Sequence, residues 1–285
     1  MTSNPTYQAD PAQAGTGRRL PTLFIPHGGG PWPFLKPPAG QPDPWASLDT
    51  YLRGLDQSIG TRPRAVLVIS GHWEERVPTV ATNPHPGLLY DYYGFPEHTY
   101  QLSYPAPGSP ELAVRTRALL ARAGINSAED ASRGFDHGTF IPFMLMYPQA
   151  DVPLVQLSLQ ADLDPSFHME LGRALAPLRD EGVLIVGSGL SFHNLRLFWR
   201  PDEKTRAGAR QFDDWLTHAV EQPDPEVRAR HLQAWASAPS AHLCHPTSEH
   251  LAPLFVAAGA AGADQGRRTY SDTVFGLAHS GFRFG

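Results

Sequence analysis

Three short runs, Leu23-Phe24-Ile25, Val66-Leu67-Val68-Ile69 and Val183-Leu184-Ile185-Val186, are apolar at every position. A strand with one wet face alternates apolar and polar residues, so an unbroken run belongs to a strand covered on both faces. The segments between follow the helical period instead. Trp45 to Ile59 sets Leu48, Leu52, Leu55 and Ile59 on one face, and Phe167 to Arg179 carries Met169, Leu171, Leu175 and Leu178 inward. Pro110 to Ala123 has a proline in its first turn and ends near Gly124, which predicts another helix. Ala65 to Ser70 and Val152 to Leu159 read as strands, and Ala207 to Val220 and Glu226 to Ala236 as helices. Leu251 to Ala263 reads as a packed helix, and Thr269 to Phe275 as a last strand before a glycine-ended tail. The long Pro-, Tyr- and His-rich connection from Val77 to Pro107 is of a length usually reserved for function or a lid. Such alternation predicts an α/β layer architecture without repeats or an interdomain linker.

The bulk numbers narrow the function. With 285 residues, 41% hydrophobic and 18% charged, the chain can bury a substantial core. A net charge of −5 without a Lys/Arg-rich run argues against nucleic acid or an anionic membrane surface as partner and for a small-molecule ligand. Cys244 is the only cysteine, so an intramolecular disulfide and a cysteine-rich zinc cage are both excluded, and a cytoplasmic location is expected. No segment approaches the roughly 20 apolar residues of a membrane-spanning helix. Arg18-Arg19 precedes a short run broken by Pro21 and Pro26, which reads as a strand rather than an export signal. Residues 1–19, nearly devoid of large apolar groups, are expected to form a flexible tail.

Chemistry concentrates in histidines. His27 and His72 each stand beside a glycine at the carboxyl end of an apolar run, where open α/β sheets bind their ligands. One such histidine would be a hydrogen-bonded turn residue; the pair points to imidazoles converging on a metal. His193, beyond Gly187-Ser188-Gly189, reaches the same rim. His137 lies in Phe135-Asp136-His137-Gly138, and His250 is expected to start a helix capped by Thr247 or Ser248. A local zinc site from Cys244, His245 and His250 competes, although it would leave the strand-end histidines unexplained. His85, His98, His168 and His218 read as solvated or structural. Dispersed imidazoles with nearby carboxylates suit zinc or non-haem iron, and without HExxH the metal stays open. Neither a Walker-A run nor GxSxG is present. The triple glycine after His27 lacks dinucleotide-site spacing and allows a sharp turn beside a bound metal or substrate.

These pieces together resemble the extradiol ring-cleaving dioxygenases of the LigB superfamily, closest to the group called 4,5-DOPA dioxygenase extradiol. The resemblance runs through His27-Gly28, Ser70-Gly71-His72-Trp73, Tyr104-Pro105-Ala106-Pro107-Gly108-Ser109-Pro110, Gly134-Phe135-Asp136-His137-Gly138, Val155-Gln156-Leu157-Ser158, His193-Asn194-Leu195-Arg196 and Pro246-Thr247-Ser248-Glu249-His250. It implies one α/β catalytic domain over residues 20–285, with a mixed central sheet flanked by helices and a metal site at strand C-terminal ends. The implied metal ligands are His27, His72 and His250, with His137 and His193 beside them and His193 close enough to serve as a further ligand. More distant relatives use a glutamate as third ligand, and here Glu249 adjoins His250.

The resemblance further implies Fe(II) as the catalytic metal, with Zn(II) as the alternative occupant, and a catechol and O2 as substrates. His193 is the implied general base toward a catechol hydroxyl, and His137, next to Asp136, the implied proton donor. Many members carry His-Gly-Ser-Pro where this chain has His27-Gly28-Gly29-Gly30-Pro31-Trp32, so reaction type transfers more firmly than substrate. Arg133 and Arg196 are candidates to meet a substrate carboxylate, against a surface ion-pair role. A non-catalytic binding protein of the same fold and a zinc hydrolase are the competing functions.

Overall fold

The computed structural model describes residues 19–37 and 39–285, so the expected tail lies outside the described residues except for Arg19. The elements in chain order are β1 (Thr22–Pro26), α1 (Ala46–Ile59), β2 (Ala65–Glu75), β3 (Thr79–Ala81), α2 (Pro110–Arg122), β4 (Ala128–Asp130), α3 (His137–Met146), β5 (Leu154–Gln160), α4 (Pro165–Leu175) and β6 (Val183–Gly189). They continue with α5 (Leu195–Phe198), α6 (Glu203–Val220), α7 (Pro225–Gln233), α8 (Ala241–Cys244), α9 (Ala252–Ala261), β7 (Gly266–Val274) and β8 (Leu277–Phe284). The strands form one eight-stranded mixed sheet in the order β4-β3-β5-β2-β6-β1-β8-β7. Its centre is parallel, β5-β2-β6-β1, and the fully apolar runs lie there. Antiparallel pairing appears where β8 joins β1 and where β3 joins β5.

Both faces of this centre are covered. Gly187 and Ser188 are neighbours in β6 and so face opposite ways. A Cβ on Gly187 would touch the Pro253 backbone of α9, while the Ser188 hydroxyl bonds the Gly138 carbonyl of α3. Helix α9 is buried at all ten positions, and its other neighbour is α4. Asp136, Asp164, Asp202 and Asp224 cap α3, α4, α6 and α7 through their carboxylates, satisfying first-turn N–H groups that no helix can pair internally.

Register decides where the functional residues emerge. Pro26 pairs with Gly189, and Ser70 with Ser188, so the pairing of β1 and β2 with β6 stops at one level and His27, His72 and His193 lie beyond it at a common rim.

Several expectations need correction. Strand β2 runs on to Glu75, past its expected end at Ser70, so His72 lies within it. Helix α9 begins at Ala252 rather than at His250, and neither Thr247 nor Ser248 caps it with a side chain. The Ser248 carbonyl accepts from the N–H of Leu251 and Ala252, and the Thr247 side chain bonds Glu249. The glycine-ended tail is β8, paired with both β1 and β7 and burying Phe282 and Phe284. The long connection contains β3 and a short 3-10 turn, Glu97–Gln101. Among the described residues no helix is long and apolar enough to cross a membrane.

Asp136 holds much of this framework. Fully buried, it accepts from Ser70 Oγ at 2.8 Å, Gln156 Nε2 at 2.7 Å and Arg133 Nη2 at 3.2 Å, besides capping α3. Asp136→Ala takes the buried acceptor from Ser70, Gln156 and Arg133 together and removes the cap, and is expected to lower unfolding free energy by about 3–5 kcal/mol in urea denaturation. A loss under about 1 kcal/mol, the size of a cap alone, would contradict that role.

Candidate metal centre

His27 follows β1 directly, tied by its N–H to the Gly189 carbonyl at 3.2 Å. Its Nδ1 donates to the Gly28 carbonyl at 2.8 Å, leaving Nε2 fully buried without a partner. His72 leaves the ladder within β2: pairing with β6 stops at Ser70, and pairing with β5 jumps from Ile69 to Glu74. Such an irregularity bends a strand locally and re-aims its side chains. His250 sits in the turn before α9. That turn rests on two strand glycines, since a Cβ on Gly71 would lie 2.9 Å from the Glu249 carbonyl oxygen and one on Gly189 only 2.1 Å from that of His250.

The three imidazoles converge. Ring centroids are 4.8 Å apart for His27 and His72, 5.1 Å for His27 and His250, and 4.7 Å for His72 and His250. Nε2 of His72 and Nε2 of His250 approach to 3.2 Å, and one ligand atom from each of the three lies within 4.8 Å of the others. His137 packs beside them, 4.0 Å from His72 and 5.3 Å from His27, and His193 stacks on His250 at 3.4 Å with 16° between planes. The five histidines therefore share one cluster. Within it, His193 groups with Glu249 and His250, and His137 with His72 and Asp91.

Electrostatics favour neutral rings at the centre. Burial first, then the mutual repulsion of neighbouring imidazoles, pushes His27, His72 and His250 well below the usual histidine range. Burial alone would raise the Glu249 carboxyl, but hydrogen bonds from His193, His250 and Thr247 outweigh it and hold the group well below the carboxylate range. Asp91 is likewise lowered despite its burial, by its bonds to His137. The donor set fits a borderline divalent metal. His27 Nε2 is a buried lone pair without a partner, and two further Nε2 atoms face each other where a cation would satisfy both.

Some side chains stand where the sequence did not place them. Asp136, adjacent to His137, turns away to the framework; the partner of His137 is Asp91, 2.8 Å from its Nδ1. Cys244 Sγ faces the Gly208 carbonyl at 3.7 Å and His245 Nε2 donates to the Ser191 carbonyl at 2.9 Å. Among the described residues neither joins a group of metal-ligating atoms, so the local Cys244 site is not formed. Arg133 is held inside, 4.4 Å over the Trp73 ring and donating to the His72 carbonyl and Asp136, whereas Arg196 is exposed. His168 is structural, its Nε2 accepting from the Gln160 N–H at 3.1 Å. Asp91 and Tyr92, whose ring lies 5.8 Å from that of His137, come from the long 77–107 connection. Its unusual length was their only signal in the sequence.

Residues 22–284 match the family described as the catalytic LigB subunit of aromatic ring-opening dioxygenase, and the chain belongs to that family. The chain is 46% identical over 243 residues to a 4,5-DOPA dioxygenase extradiol of Beta vulgaris, covering 85% of this chain and 87% of that one. It is 37% identical over 246 residues to the protein of the same name from Escherichia coli K12, covering 85% of each. A dioxygenase, tasH, of Hapsidospora irregularis is 38% identical over 276 residues, 90% of this chain and 83% of its own. A crystal structure of an uncharacterized Escherichia coli K12 protein superposes with a TM-score of 0.74 at 32% identity, over 94% of this chain and all of that one. The protein is accordingly an extradiol aromatic ring-opening dioxygenase, of a metal-dependent family.

The approach of the His250 turn to β6 leaves no room for a methyl group. Gly189→Ala is expected to cost about 1–3 kcal/mol of stability, as overpacking does, and to displace His250. Zinc titration followed by calorimetry should then show weakened binding; wild-type affinity in a folded Gly189→Ala protein would contradict the placement.

Proposed function

We propose that the protein opens a catechol ring with O2 at a non-haem Fe(II) centre held by His27, His72 and His250, giving a ring-opened semialdehyde acid. The observation that carries this reading is the convergence of three imidazoles, His27 and His250 buried and His72 half-buried, whose Nε2 atoms lack protein partners other than each other. Three protein ligands leave positions for both catechol oxygens and for dioxygen. When bound, Fe(II) supplies chelation of the catechol and a path for electron density from it to dioxygen; Zn(II) fits the same donors without that redox capacity.

The protons are the task of the two flanking imidazoles. His193 donates through Nδ1 to Glu249, so its Nε2 lone pair is free to take a proton from a catechol hydroxyl. His137 donates through Nδ1 to Asp91, so it delivers a proton toward the opening ring from Nε2 only after that nitrogen has taken one up, with the Asp91 carboxylate partnering the imidazolium. His193, stacked on His250, is the candidate for a further ligand. The substrate is a DOPA-like or related small catechol, as the names of the curated relatives indicate for those proteins. The catalytic domain is assigned to residues 20–285 after a tail at 1–19, and the cytoplasm is its proposed location.

Anaerobic loading with Fe(II) followed by L-DOPA, protocatechuate or simple catechols in air should give yellow product with one O2 taken up per ring. O2-independent turnover of an ester, or no turnover by stoichiometrically loaded protein, would count against the reading. His193→Ala is expected to keep its metal and lose roughly 10²–10⁴-fold in kcat, and His72→Ala to lose the metal itself. Metal analysis beside activity separates the two; the reverse pattern would exchange or refute the roles.

A further inference from the structure

We propose that Asp91 and Glu249 are positioning residues, each fixing one proton-moving imidazole and one metal-facing imidazole at the same time. This rests on the roles given to the histidines above. Glu249 Oε1 lies 2.9 Å from Nδ1 of His193 and 3.1 Å from Nδ1 of His250. Asp91 Oδ1 lies 2.8 Å from Nδ1 of His137 and accepts its backbone N–H at 2.9 Å, while Oδ2 stands 3.5 Å from Nδ1 of His72. Each carboxylate thus faces two rings, Glu249 through one shared oxygen and Asp91 through both of its oxygens, the nearer to His137.

Its consequence is a tautomer choice. An ionised carboxylate has no proton to give, so the imidazole nitrogen facing it must carry the hydrogen. A neutral imidazole has a single N–H, and a proton at Nδ1 leaves Nε2 as a lone pair. His193 and His250 are therefore set with Nε2 bare, the form a base or a ligand requires, and His137, in the same tautomer, must take up at Nε2 the proton it later delivers. His27 reaches the same state through the Gly28 carbonyl, another group that only accepts. Without Glu249, His193 and His250 would populate both tautomers, and their Nε2–H forms would aim a proton where a metal or a substrate proton must go.

The sharing of one oxygen ties two functions together. His193 and His250 both donate to Glu249 Oε1, and their face-to-face stack at 3.4 Å is the packing that brings two Nδ1 atoms to a single acceptor. Glu249 so engaged orients His250 from behind and has that oxygen committed to hydrogen bonds. Removing it should disturb metal binding through His250 and proton transfer through His193 in one step. Asp91 should act in the same way on His72 and His137.

The test uses protein labelled with 15N-histidine, metal-free and zinc-loaded, with NMR reading the tautomers and competition titration reading zinc affinity. Glu249→Leu is expected to change the tautomer signals of His193 and His250, leave that of His137 in place, and weaken zinc about 10–100-fold. Iron-loaded Glu249→Leu should lose kcat more than it gains KM, and Glu249→Gln, which keeps an acceptor oxygen, should recover part of both losses. Asp91→Leu and Asp91→Asn should give the complementary pattern, with His137 altered and His193 unchanged. Folded variants that retain Nδ1–H at these rings and bind zinc as the wild type does would overturn the proposal. Should the leucine variants fail to fold, wild-type zinc affinity in both Glu249→Gln and Asp91→Asn would overturn it equally. These readouts need no catechol. Wild-type iron protein that opens no ring would defeat the function proposed above and leave the positioning result to stand or fall on its own.

Discussion

Burying several imidazoles around one point creates a demand that the rest of the site is built to meet. Each ring brings two nitrogens out of water, and an unpaired buried polar atom costs roughly 1–3 kcal/mol. Here one nitrogen of each central ring is turned outward to an acceptor: Gly28 for His27, Asp91 for His72 and His137, Glu249 for His193 and His250. The other nitrogens are left facing inward, and for His27 the inward atom has no protein partner at all. A divalent cation would resolve that deficit, so metal binding and the local architecture are one problem.

The sheet makes the convergence geometrically possible. The pairing of β1 and β2 with β6 stops at one level and brings His27, His72 and His193 to one rim, and the break in β2 pairing between Ile69 and Glu74 lets His72 leave the plane of its strand. Gly71 and Gly189 then let the turn carrying Glu249 and His250 settle onto the strand ends. Asp136 ties α3 to β2 and β5, so the helix that begins with His137 is anchored by the residue before it. Positioning therefore passes from register, to loop, to carboxylate, to imidazole nitrogen.

How much of this could be read from the sequence follows from the range of each interaction. The apolar runs of β1, β2 and β6 and the stripes of α1 and α4 are local patterns, and they marked the α/β core and the strand-end histidines directly. Helix α3 escaped because nearly every residue in it is apolar and buried, leaving no stripe to recognise. The short strands β3 and β4 offered only three residues each, and Gly276 and Gly281 disguised β8 as a tail. Asp91 was hidden because its bond to His137 spans 46 residues, and Asp136 drew attention only by adjacency. The histidines could be gathered by type and by family resemblance; which carboxylate serves which ring is a product of the folded chain.

The central claim is that Nε2 of His27, His72 and His250 together hold the catalytic metal. X-ray absorption spectroscopy on the loaded protein, wild type and His27→Ala, tests it most directly. The account expects imidazole scattering from three protein ligands and no sulfur in the wild type, with loss of one imidazole or of the metal in the variant. A sulfur contribution from Cys244, or an unchanged imidazole signal at full occupancy in His27→Ala, would contradict it.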